Sequence, residues 1–106
     1  MVDIYDVAVG CVEDNAFQGK NRIKSIYFPS AQQIGLNAFR NCPDLEIVRL
    51  PTLRDPNLIG VFAFLNSPKL KYIDLGLLDK NQVKTSDWGI SSGSIVVCRD
   101  GILMVD

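Results

Sequence analysis

Apolar residues along this chain fall into a phrase that recurs three times. It reads Val12, Ala16-Phe17, Ile23, Ile26, Phe28-Pro29; then Ile34, Ala38-Phe39, Leu45, Val48, Leu50-Pro51; then Ile59, Ala63-Phe64, Leu70, Ile73, Leu75-Gly76. The first step is 22 residues and the second 25, with the extra residues around Leu53 to Asn57. A period of this length predicts a solenoid, because one such unit cannot bury its apolar side alone and has to stack on its neighbours.

Within each unit the apolar positions at Leu45, Val48 and Leu50 fit a short strand. Side chains alternate along it, so Val48 and Leu50 turn to the core while Ile47 and Arg49 turn away. Stacked units run the same way, which predicts one parallel sheet on the concave side of the coil. Pro29 and Pro51 end their strands, since proline donates no ladder hydrogen bond. The stretches around Ala16-Phe17, Ala38-Phe39 and Ala63-Phe64 are expected as short helical turns on the convex side, with Asn15 and Asn37 as caps and the phenylalanines as core plugs. Pro43 and Pro68 then stop these turns.

The chain reads as a single domain over residues 1–106. Stepping the frame back makes residues 1–11 a degenerate first unit with a strand in Met1 to Asp6; residues 12–76 hold three repeats, and 77–106 form a C-terminal cap. In that cap, residues 78–83 read as a helical stretch, and apolar runs on either side of Asp100-Gly101 predict a hairpin. Ile95 and Val97 are expected to continue the core-facing series, and the hairpin to cover the last unit. Trp88, outside the repeats, reads as a plug of the cap, with stacking on a sugar as the alternative.

Composition narrows the function by exclusion. Eleven Lys and Arg against twelve Asp and Glu leave a net charge of −1, without the clustered positive charge that nucleic acid requires. No apolar run is long enough to span a bilayer, so no membrane insertion is expected, and Met1 to Asp6 lack the pattern of a secretory signal. Cys11, Cys42 and Cys98 are widely spaced and odd in number, and read as free buried thiols rather than a disulfide framework or metal site. With no histidine there is no Ser-His or Cys-His pair. Cys98 beside Arg99 is the one arrangement resembling an activated thiolate, and it lacks a general base. The expectation is a non-enzyme with no cofactor and no metal.

The string Ile34-Gly35, Ala38-Phe39, Asn41-Cys42, Leu45, Val48, Leu50-Pro51 resembles the BspA-like, or Treponema-type, leucine-rich repeats of bacterial surface proteins, over about residues 1 to 76. The resemblance implies a leucine-rich-repeat array, an adhesion or host-interaction role, and a cell-surface or secreted location. The chain itself carries no address.

The candidate working surface is the outward face of the concave sheet. Two rows are expected there: Asp3, Ser25, Ile47, Tyr72, and Tyr5, Tyr27, Arg49, Asp74. Arg49 between Tyr27 and Asp74 suits both a cation over an aromatic face and a charge pair. Tyr5, Tyr27, Ile47, Arg49, Tyr72 and Asp74 are the candidate contact residues for a protein or glycan ligand, Tyr and Arg being favoured among binding hot spots. The same rows also serve a plain purpose, keeping the sheet soluble and in register. Lys24, Glu46 and Lys71, of alternating sign, are expected to make surface ion pairs and little more. The alternative function is a structural segment of a larger surface or phage-tail protein, self-associating through its end faces at Met1 to Val7 or Ile102 to Val105.

Overall fold

The computed structural model describes all 106 residues. Its main sheet has six strands: β1 (Val2–Tyr5), β3 (Ile23–Tyr27), β5 (Ile47–Arg49), β6 (Tyr72–Asp74), β7 (Ile95–Cys98) and β8 (Gly101–Met104), in that spatial order. The first five run parallel and β8 returns antiparallel. Register follows the repeat: Ile26 lies beside Val48, Val48 beside Ile73, and Ile73 beside Val96. All four are buried. This is a repeat fold with a mostly parallel sheet.

A second ladder runs along the other side of the stack. Strands β2 (Cys11–Val12) and β4 (Gln33–Ile34) pair in parallel, and Ile34 bridges to Ile59. Beyond them each turn hydrogen-bonds to the next, Phe17 N to Ala38 O at 2.9 Å and Phe39 N to Ala63 O at 2.7 Å. Ring stacks follow the same direction, with centroids 5.6 Å apart for Phe17 and Phe39 and 5.8 Å for Phe39 and Phe64.

These turns are not the helical turns that the sequence suggested. Asn15, Asn37 and Phe62 all have φ near +60°, the left-handed region, so the asparagines do not cap helices. Asparagine tolerates that region where most side chains are crowded, so it suits the turn itself. The side chains form a ladder instead, Asn37 Nδ2 donating to Asn15 Oδ1 at 3.2 Å. Helix is confined to α1 (Thr85–Trp88) and two three-residue 3-10 turns, Pro56–Leu58 and Lys80–Gln82. The first of these absorbs the extra residues of the third unit, and Leu53 beside it is fully buried.

The cap holds a second correction. Val96 and Cys98 face the core, while Ile95 and Val97 face outward and are half-buried. An unbroken apolar run has no alternation from which to read its facing, and the ladder to β6 decides it. Val105 and Leu103 still pack against the core, and Trp88, 1% exposed, plugs the end of the stack. That burial removes Trp88 as a platform for a sugar. Cys42 and Cys98 are buried as expected, but Cys11 is exposed.

Candidate functional site

The alternation within β3, β5 and β6 sends every second side chain away from the core. Across strands these side chains line up by register, Tyr5 beside Tyr27, Tyr27 beside Arg49, Arg49 beside Asp74 and Asp74 beside Val97. The parallel row is Asp3, Ser25, Ile47, Tyr72 and Ile95. All six candidate residues therefore share one face of one sheet.

Contacts within the first row are specific. The Tyr5 and Tyr27 rings lie 5.1 Å apart, the Arg49 guanidinium is 4.2 Å from the Tyr27 ring centroid, and Arg49 Nε is 3.6 Å from Asp74 Oδ2. Arg49 is thus held between an aromatic face and a carboxylate, with its side chain still 45% exposed. Tyr5 and Tyr72 are exposed, whereas Tyr27 and Ile47 are half-covered by their neighbours.

The sheet face extends further than the sequence indicated. Antiparallel pairing sets Met104 opposite Ile95 and Ile102 opposite Val97, and both are well exposed. Ile47, Tyr72, Ile95 and Met104 thereby form one apolar row, and Val97 and Ile102 lie beside it. The available signal was the hairpin: once Cys98 pairs with Gly101, the facing of Ile102 and Met104 is fixed by period two. At the lower end of these strands Ile47, Tyr72 and Ile95 floor a shallow depression of about 530 Å³, with Glu46, Lys69 and Lys71 at its rim.

The expected ion pairs among Lys24, Glu46 and Lys71 do not form. Lys71 Nζ instead donates to Ser91 Oγ at 3.2 Å and Ser92 O at 2.8 Å, tying β6 to the cap. Sequence separation explains the miss, because the partner lies in the segment where the repeat pattern stops.

Neither buried thiol resembles an activated nucleophile. Burial, and then the nearby Asp100 carboxylate, push the Cys98 thiol up from its ordinary value. Arg99, read from the sequence as its cation, pairs with Asp79 at 2.6 Å. Burial likewise raises Cys42, whose Sγ donates to Phe17 O at 3.1 Å. Ser67, one unit on, donates to Phe39 O at 2.7 Å in the same way. Both side chains staple one unit to the one before, a role beyond that of the free buried thiol expected at Cys42. No group of three His, Cys, Asp or Glu side chains is placed to hold a metal, and no helix is long and apolar enough to cross a membrane.

A family model described as a BspA type leucine-rich repeat region (6 copies) covers residues 9–87. No curated protein and no solved structure matches the chain.

Proposed function

Since this chain belongs to the BspA-type leucine-rich repeat family, we infer that it is a protein-recognition module whose working surface is the outer face of its sheet. The family suggests a protein-interaction module in general terms. The observation that carries the specific reading is the continuous outward row Ile47, Tyr72, Ile95 and Met104, beside the fixed Tyr27, Arg49 and Asp74 cluster. Tyrosine and arginine are favoured among binding hot spots, and an adjoining apolar strip supplies the desolvated centre that interfaces need.

A polypeptide partner is favoured over a glycan by the apolar character of that strip and by the burial of Trp88. The surface-antigen character of the family makes host and matrix proteins the probes to offer first, with glycans beside them. The test is capture of protein and glycan arrays by the purified chain and by an Arg49→Glu/Tyr72→Ala variant, both checked for folding by thermal melting. A protein bound by the first and lost by the folded variant supports the reading. Binding indifferent to the substitutions would move the site elsewhere on the molecule.

A further inference from the structure

The two ends of the stack are finished differently. At the C-terminal end the hairpin and Trp88 cover the last unit. At the other end β1 is an edge strand, and Ile4, Val9 and Phe17 pack on the core while remaining partly open to solvent. Val2 N donates to Arg22 O, just before β3, and Asp6 N to Tyr27 O at its end; with a register shift between Val2 and Asp3, alternation along β1 turns the N–H and C=O groups of Asp3 and Tyr5 to the free edge.

What could cover this edge is limited by two positions in the first unit. Register equates Glu13 with Gly35 and Gly60. A Cβ at Gly35 or Gly60 would collide with the backbone of the preceding unit, at Asp14 and Leu36 respectively. Glu13 carries a full side chain in that direction. Lys20 likewise stands where Cys42 and Ser67 reach back to the preceding unit. A further unit of the same kind, or the end of a second copy stacked in the same register, meets both side chains.

Charge selects among the remaining occupants. The first 19 residues contain Asp3, Asp6, Glu13 and Asp14 and no lysine or arginine; Asp3, Asp6 and Asp14 accept hydrogen bonds from Ser25 Oγ, Ala8 N and Leu36 N, but none of the four is neutralised by a salt bridge. Two such ends facing each other would repel. We propose that the β1 edge is a strand-addition site for an extended segment of a partner protein in which basic and apolar residues alternate. The partner's main chain pairs with Asp3 and Tyr5, its apolar side chains cover Ile4, Val9 and Phe17, and its basic side chains lie over Asp3. Strand addition takes its affinity from main-chain hydrogen bonds and its specificity from alternate side chains.

The probe is a short acetylated, amidated peptide alternating lysine and valine, with a glutamate and valine peptide as control, titrated against the chain and followed by backbone amide NMR. The lysine peptide is expected to bind, to shift and protect the amides of Asp3 and Tyr5, and to weaken with salt. Asp3→Pro removes one free-edge donor together with the Asp3 carboxylate and the hydrogen bond it accepts from Ser25 Oγ at 2.6 Å, and should weaken binding about tenfold or more. Asp3→Lys, a second variant should the first unfold, should reverse the preference between the peptides. The Arg49→Glu/Tyr72→Ala variant should bind the peptide as the parent does, which separates this site from the sheet face. Absence of binding, equal binding of both peptides, loss of binding only in the sheet-face variant, or a concentration-dependent dimer abolished by Asp3→Pro would each overturn the proposal.

Discussion

The guanidinium of Arg49 lies over the ring of Tyr27, 4.2 Å from its centroid. Asp74 on the next strand meets the same group from the other side. Each contact at this exposed site contributes about 0.5–1 kcal/mol, reduced by salt. Arg49→Ala is therefore expected to lower stability by about 1 kcal/mol and to leave the fold intact. Chemical denaturation at low and high salt checks this, with the gap between variant and parent narrowing as salt rises. Such a small cost is what makes Arg49 usable as a probe of binding.

Phe39 is the middle ring of the stack and fully buried, while Phe17 at its end is half-buried. Truncation of a buried phenylalanine costs about 3–5 kcal/mol through lost transfer energy and the cavity left behind. Phe39→Ala should reach that range. Phe17→Ala should cost distinctly less, because its pocket already opens to water. Equal losses in denaturation midpoint would mean that the open end is covered in solution.

Gly60 and Glu13 occupy equivalent positions with opposite constraints. Gly60→Ala places a Cβ against the Leu36 backbone, which cannot rotate away, so separation of the two units is the only relief. A loss of more than about 2 kcal/mol is expected, in line with overpacking at a rigid contact. Glu13→Ala should be neutral within about 0.5 kcal/mol. Paired melts of the two variants test this.

The repeat made most of the fold legible. Spacing alone identified β1, β3, β5 and β6, their parallel order and their facing, because a single unit's burial pattern is copied by its neighbours. The same spacing set Tyr27, Arg49 and Asp74 side by side, as the ladders do. The facing of β7 was not legible, since Ile95, Val96 and Val97 are all apolar and only the ladder to β6 distinguishes them. Nor were the left-handed turns: Asn15 and Asn37 favour both caps and positive φ, and Phe62 in the third unit offers no such hint. The Lys71 contacts lay beyond the reach of the pattern because their partners belong to the cap.

Phe62 sits at φ 59°, where the two preceding units place asparagine. A bulky residue there carries strain of about 1 kcal/mol or more, partly offset by Arg40, 5.4 Å from the ring centroid. Phe62→Asn should therefore raise the melting temperature slightly, and Asn37→Ala should lower it by more than Asn37→Gly does. The opposite order for the two Asn37 variants would refute the left-handed turn.

Cys42 supplies a pH test whose sign follows from its burial. Its thiol is pushed above the ordinary value of 9.0 mainly by desolvation, so the folded chain holds this proton more tightly than the unfolded chain does. Above the unfolded value the unfolded state ionises first and binds fewer protons, and stability falls as pH rises. The contribution is complete below the unfolded pKa and is lost progressively from there up to the folded value. Cys98 shifts in the same direction and adds to the slope. Urea denaturation between neutral pH and pH about 10 should show a decline, and a Cys42→Ser/Cys98→Ser variant should show a shallower one. Serine preserves the donor to Phe17 O, as Ser67 does to Phe39 O one unit on. The variant should then keep its neutral-pH stability better than Cys42→Ala/Cys98→Ser, which loses that bond. An alkaline slope unchanged by removing both thiols would refute the assignment to Cys42 and Cys98.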